Sequence, residues 1–475
     1  MPKRNLIYVL AIVVAVAITF SVWRQASPLT GLDGSSGSAM DHAAELIRQH
    51  YYRPVDDEAL ERTALEAMAN SLDCWSRYVG PELAGRLSDH ILAGSDPGLG
   101  LVVEPAGDGW RVLGAICGSP AHQAGLAEGE LLAIDGEPVA AMSEEDVRER
   151  LRVEPGDVVD LAIEDSGGDV RTVSLEGRLY PVETVEGLLR DESGRWIHPV
   201  DPLGQTAYVR VTEFVEGTAQ QLQRVLRQMG HPRCLVLDLR DNPGGLLTAA
   251  VATCNLLLEE GLIVTSVGRD EQRHEYRALR SGTLRDLYVV VLVNENTASA
   301  AEIVAGALKY NDRAVIIGER THGKGSVQSI FDLPDDQGQL VLTTGEYLVG
   351  DGVAITRHPG SETWGIEPHE KIELTGERAA RLERLVLLGR LMPPPQTQTS
   401  DSARTRPAVE DELQRPTLAQ LLSLDLQLAR AVGLLAEPSD VERMLRNARR
   451  QRQEDNESGE SIPAAEPSLE RTYHD

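Results

Sequence analysis

Two residues 25 positions apart could together carry nucleophilic chemistry. Ser299 lies in Thr297-Ala298-Ser299-Ala300-Ala301-Glu302, where an apolar run, Val289 to Val293, gives way to a helical pattern. A serine at a helix start, flanked by alanines, lets a substrate come close while the first-turn amides favour developing negative charge. Taken alone, Ser299 reads better as a simple helix cap. Lys324 sits between Gly323 and Gly325 in Thr321-His322-Gly323-Lys324-Gly325-Ser326-Val327-Gln328. If desolvated against a sheet, its amine would lose proton affinity and serve as a base near neutral pH; the plainer reading is an exposed loop lysine. A third segment, Arg240-Asp241-Asn242-Pro243-Gly244-Gly245, follows the expected strand Leu235 to Leu239. Its glycine amides could face an anion, as in an oxyanion hole, or could simply form a strand-to-helix turn. No G-x-x-x-x-G-K-[ST] spacing supports a phosphate loop.

The elements that must position these residues alternate beyond Asp201: strands at Ala207 to Val211, Cys234 to Leu239 and Tyr288 to Val293, and helices around Thr218 to Met229, Leu246 to Leu258 and Ser299 to Leu308. Continuous apolar strands between helices predict a sheet covered on both faces, an α/β core over 181–391. Residues 95–180 differ. Short β-branched runs at Leu101 to Val103, Val112 to Ile116, Val158 to Ile163 and Val170 to Leu175 are interrupted by a helix after Ser119-Pro120 and another over Ser143 to Leu151. Residues 41–94 carry helical spacing through Ala44, Leu46 and Ile47, then Leu60, Ala64, Leu65 and Met68.

At the N-terminus, Lys3 and Arg4 precede Leu6 to Trp23, an 18-residue run without charge. That length just spans a bilayer. A cleavable signal peptide is the competing reading, but a small-x-small cleavage pattern is hard to place where Trp23, Arg24 and Gln25 follow, so an uncleaved anchor over 1–24 is expected, with everything after Arg24 across the membrane. Residues 25–40 read as a Gly/Ser linker and 392–416 as a Pro/Gln/Thr/Ser linker; 417–450 form a helical extension and 451–475 a polar, disordered tail. The fold class is thus α+β and α/β multidomain. A formal charge of −28 without a basic patch argues against a nucleic-acid partner. Cys74, Cys117, Cys234 and Cys254 are too sparse for a disulfide scaffold and read as core thiols, with one disulfide left open. No HExxH, Cys/His cluster, G-x-S-x-G elbow or histidine triad competes with the Ser and Lys motifs, and no metal or cofactor is called for.

Asp238-Leu239-Arg240-Asp241-Asn242-Pro243-Gly244-Gly245, the Ser299 segment and Gly323-Lys324-Gly325-Ser326-Val327-Gln328 occur in the order seen in carboxyl-terminal processing peptidases. With Leu72-Asp73-Cys74-Trp75-Ser76-Arg77-Tyr78, the resemblance runs from about Asp41 to Leu374. It implies a serine endopeptidase in which Ser299 attacks the scissile carbonyl, Lys324 takes its proton, Gln328 positions the lysine, and the amides of Ala300, Gly244 and Gly245 hold the oxyanion. Residues 95–180 resemble a PDZ domain, with Gly98-Leu99-Gly100-Leu101 as the loop that would bind a substrate's C-terminal carboxylate. The resemblance implies protein substrates with accessible C-termini and gating by peptide capture; with the N-terminal run, the expectation is a bacterial cytoplasmic membrane location, single-pass, with the catalytic body on the periplasmic or extracytoplasmic side. Two positions depart from the family: Glu130 replaces an aspartate in the PDZ turn, and His369 follows Pro368 where an aspartate is usual. The residues after Met392 have no family counterpart; a role in assembly, as in a homo-oligomer, is the expectation for them. A catalytically silent PDZ scaffold is the alternative, and an apolar-ligand carrier ranks third.

Overall fold

The computed structural model describes residues 39–81, 83–85, 95–107, 109–165, 168–280, 284, 286–350, 352–358, 360–392 and 417–458. The expected membrane anchor and most of both linkers and of the tail lie outside the described residues. The chain divides into two compact units, residues 1–68 and 69–475. Within the first, the helix Ala39–His50 is followed by the start of Asp57–Asn70, and Arg48 Nε meets Asp57 Oδ1 at 2.6 Å. Both groups are exposed, so the pair adds little stability.

The second unit is built on a six-stranded sheet in the order Val185–Glu186, Thr206–Val211, Cys234–Asp238, Tyr288–Val293, Ala314–Gly318, Glu370–Lys371. The first pair is antiparallel and the others parallel. Parallel strands laid down in sequence order, joined by crossovers of one hand, place every connecting helix on the same face. Accordingly Thr218–Gln228, Leu247–Leu257 and Ala300–Tyr310 share one core with Leu235, Leu237, Val289, Val291 and Ile316. That arrangement alone would leave Val236, Val290, Leu292, Val315 and Ile317 facing water on the other side.

The C-terminal helices Leu418–Leu424, Leu426–Ala436 and Pro438–Ser458 cover this second face, through Leu428, Ala431, Leu434, Leu435 and Val441. A role in assembly is therefore not needed to account for the extension: its apolar stripe is used within the chain. The first two of these helices are bent by 106°; among the described residues no single helix is long and apolar enough to cross a membrane.

A second sheet runs through Arg77–Val79, Gln339–Val349, Leu262–Gly268 and Arg273–Arg277, with Ser326–Asp332 on the other edge of Gln339–Val349. The pairing of Arg77–Val79 with Gln339, Leu340 and Val341 departs from the expected helical module over 41–94. A three-residue strand whose partner lies some 260 residues away leaves no local signal. Residues 95–181 form a separate β module. Its entry strand Ser95–Gly98 zips to its exit strand Arg178–Pro181, and the strands between enclose Val112, Leu131, Ile134, Leu161 and Ile163. Its helices start as expected: Ser119 Oγ accepts the His122 N–H, and Ser143 and Asp146 form a reciprocal cap. The helix Gly376–Arg390 ties this module to the core. Leu388 and Leu391 pack on Leu113, Arg384 pairs with Glu104, and Arg390 meets Glu186 at 2.8 Å.

Leu434 is 1% exposed in the second core. Leu434→Ala should lower unfolding stability by about 2–5 kcal/mol. A urea midpoint unchanged from the parent would show that the C-terminal helices contribute no core.

Candidate active site

The strand Tyr288–Val293 ends in a loop that turns sharply into the helix Ala300–Tyr310, and Ser299 stands at that corner with φ 55 and ψ −119. Helix-capping residues ordinarily take extended backbone angles, so a simple cap does not explain this conformation. Strain of roughly 1–3 kcal/mol at a non-glycine residue persists only where surrounding bonds enforce it. Those bonds are present. The Ser299 N–H donates to Glu302 Oε2 at 2.9 Å, the Ala298 N–H to the Asn242 carbonyl at 2.9 Å, and Thr297 Oγ1 to the Leu239 carbonyl at 2.8 Å.

Glu302 is the site's central unassigned residue. Fully buried, it accepts from Thr321 Oγ1 (2.5 Å), from the Gly323 N–H (2.8 Å) and from the N–H groups of Ser299 and Lys324 (2.9 and 2.8 Å), the last two on the same oxygen. The backbone nitrogens of Ser299 and Lys324 are thereby held within about 6 Å of one another. Burial pushes the Glu302 pKa up, and the four donors pull it back. In sequence Glu302 reads as an ordinary acidic residue of a first helical turn; its partners other than Ser299 are 19 to 22 residues away and invisible to local pattern.

Lys324 is half-buried, with its Nζ 4.6 Å from the centre of the Trp75 ring. Its pKa is lowered, first by desolvation and then by the Arg77 guanidinium. Trp75 and Arg77 reach this place because Arg77–Val79 joins the second sheet. Asp73 folds the turn before it by accepting the Trp75 and Ser76 N–H groups at 2.7 and 2.6 Å, and Ser76 Oγ accepts the Thr343 N–H at 3.1 Å. His322 is exposed and packs edge-on to Trp75. Gln328 makes no hydrogen bond to the lysine in this structure: its Nε2 donates to Ser326 Oγ (2.9 Å) and Thr343 Oγ1 (3.2 Å) beside a strand bulge.

The turn after Asp238 closes against Ser299. A Cβ placed on Gly244 would lie 2.7 Å from the Ser299 Cβ, and one on Gly245 2.2 Å from the Phe214 carbonyl oxygen; both have positive φ, so glycine is required twice over. Asn242, itself anchored by Nδ2 to the Val211 carbonyl, accepts the Gly244 N–H at 2.8 Å. The Gly244 amide, expected to face an anion, is thus already used. The N–H groups of Gly245 and Ala300 have no acceptor among the described residues. Asp241 laces this turn to the Ser299 loop, accepting from Asn294 and Asn296.

In the β module, the Gly100 carbonyl accepts from Ile116 and the Leu99 carbonyl from Ala121, whereas the Leu99 and Gly100 N–H groups have no acceptor among the described residues. The Leu99 side chain is buried, Gly98 pairs with Arg178, and Leu101 with Ala115. Gly100 has φ +64 and lies against Ser119, where a Cβ would meet the Ser119 Cβ at 2.1 Å. Among the described residues no group of three or more His, Cys, Asp or Glu side chains is placed to hold a metal ion.

Residues 205–372 match the model of peptidase family S41, and residues 111–165 that of the PDZ domain. The chain is 32% identical over 335 residues to a carboxyl-terminal-processing protease of Synechocystis sp., covering 69% of this chain and 75% of that protein. It is 31% identical over 380 residues to the carboxy-terminal processing protease CtpA of Bacillus subtilis, covering 78% and 77%. Among solved structures, the photosystem II D1 C-terminal processing protease aligns at 28% identity and a TM-score of 0.42, over 71% of this chain and 87% of that one.

Glu302→Gln sets an amide N–H₂ among four donors and leaves at least two of them unsatisfied. Each unsatisfied buried donor costs about 1–3 kcal/mol, so equilibrium unfolding should show a loss of roughly 2–5 kcal/mol. Unaltered stability would mean that the carboxylate does not hold the two loops.

Proposed function

As a serine-type peptidase of family S41, a carboxyl-terminal processing protease with a PDZ domain, this chain, we propose, cleaves by a Ser-Lys mechanism and captures substrates by their C-termini. The observation that carries the mechanism is the shared Glu302 oxygen, which brings the Ser299 and Lys324 backbones together. The Lys324 amine, with its proton affinity lowered, takes the Ser299 hydroxyl proton as Oγ attacks the scissile carbonyl. It then returns that proton to the leaving amine, and water repeats the cycle on the acyl-enzyme. The unpaired N–H groups of Gly245 and Ala300 receive the oxyanion, with Asn242 and Gly244 shaping the turn.

In the resting arrangement the amine lies on Trp75. A cation–π contact of about 0.5–2 kcal/mol is weak enough to exchange for a hydrogen bond to Ser299. Gln328 would orient the lysine after that swing. The free amides of Leu99 and Gly100 support carboxylate capture, with Gly98 and Leu101 completing the loop, and a tethered capture site raises substrate concentration at Ser299. Protein substrates follow from the family. The charge-free run at 6–23 supports anchoring in a bacterial cytoplasmic membrane with the body outside the cytoplasm.

Cleavage of a long peptide ending in unstructured apolar residues tests both parts. Ser299→Ala and Lys324→Ala should each lower kcat by about 10³-fold or more, and amidating the peptide's C-terminus should raise KM for the parent. Equal cleavage by all three proteins contradicts the mechanism; equal KM contradicts capture. The pH profile of kcat should rise as Lys324 loses its proton, at a midpoint below the ordinary lysine value. Arg77→Ala removes a repelling cation and should move that rise to higher pH, less so at high salt. A midpoint moving to lower pH would reverse the assigned electrostatics.

A further inference from the structure

The turn that carries Gly245 is rooted in a buried charge cluster, and half of that cluster comes from the C-terminal helices. Arg240, 6% exposed, sits between the end of the strand Cys234–Asp238 and Gly244-Gly245. Its Nε and Nη2 face Asp238 at 2.6 to 3.1 Å. Its Nη1 donates to Asp425 Oδ1 and Gln427 Oε1, both at 3.0 Å, and Nη2 donates to Asp425 Oδ2 at 2.8 Å. Asp425 and Gln427 are 2% and 0% exposed. Each is fixed in turn: Asp425 caps its helix by accepting the Leu428 N–H at 2.9 Å, and Gln427 Nε2 donates to the Ile372 carbonyl at 2.6 Å.

We propose that Asp425 and Gln427 are positioning residues of the peptidase, acting through Arg240 to hold the oxyanion turn in register with Ser299. The inference rests on the Ser-Lys reading and extends it to a part of the chain outside the matched family segment, which ends at residue 372. Its physical basis is the fork of the guanidinium. A planar donor set answered on one side by Asp238 and on the other by Asp425 fixes the direction in which the chain leaves the sheet. The same backbone continues through Asp241 and Asn242, which bond to Asn294, Asn296 and Ala298 beside the nucleophile. A packing role alone would not require a carboxylate here: the apolar face of the extension already supplies burial, and a buried ion pair adds little net stability over apolar side chains of similar volume. Removing Asp425 takes away two of the three bonds on that side, leaves Gln427 Oε1 alone opposite Asp238, and loosens the turn. Displacement of an oxyanion donor by even about 1 Å costs rate rather than binding.

The test compares full-length Asp425→Ala with Leu434→Ala, which weakens the same extension without touching Arg240. Both are assayed on the apolar-ended peptide at a temperature where near-ultraviolet circular dichroism shows each folded. The clamp predicts that Asp425→Ala lowers kcat at least tenfold with KM within twofold, that Asp425→Glu recovers part of the loss, and that Leu434→Ala keeps kcat within twofold. Equal losses in the Asp425→Ala and Leu434→Ala proteins, or none in Asp425→Ala, overturn it. Amide hydrogen exchange provides a readout that needs no activity: exchange in 240–246 should accelerate at least tenfold in Asp425→Ala, with 288–293 unchanged. Unchanged exchange in 240–246 overturns the clamp even if the parent proves inactive, an outcome that would separately sink the Ser-Lys reading.

Discussion

A single buried carboxylate sets what the rest of the site can do. Glu302 has no cationic partner among its hydrogen bonds and is answered by four donors drawn from two loops. Taking a carboxylate out of water is costly, and that cost is offset only if all four donors arrive together. The Ser299 corner and the Lys324 loop are therefore formed as a unit. The strained backbone of Ser299 sits inside this network, its N–H bonded to the same carboxylate.

The sheet imposes the second constraint. Strands in sequence order put all three crossover helices on one face, and the bare face must be covered by something. The chain uses its own C-terminal helices, and in covering the sheet they bring Asp425 and Gln427 to Arg240. The extension is thus both core and, through Arg240, a support for the Gly244-Gly245 turn within the same chain.

The parallel core, the β module and the three motifs were legible because each is written in contiguous residues: apolar runs bounded by turns, and short glycine- or alanine-flanked segments. What escaped was written across distance. Trp75 reaches Lys324 through a three-residue strand paired with Gln339–Val341, and Glu302 binds partners in another loop. Asn242, anchored to the Val211 carbonyl 31 residues away, accepts the Gly244 N–H and leaves the Gly245 N–H without an acceptor among the described residues. Gln328, matched by motif, faces Ser326 and Thr343 instead of the lysine, because hydrogen bonds along a bulged strand hold it in this arrangement.

The account stands on Lys324 activating Ser299, and the rate at which a fluorophosphonate labels the protein across pH reads that step without any substrate. Labelling should fall on Ser299 alone, accelerate as pH rises to a midpoint below the ordinary lysine value, and lose that acceleration in Lys324→Ala. Labelling of Lys324→Ala at the parent's rate and with the parent's pH dependence would contradict it.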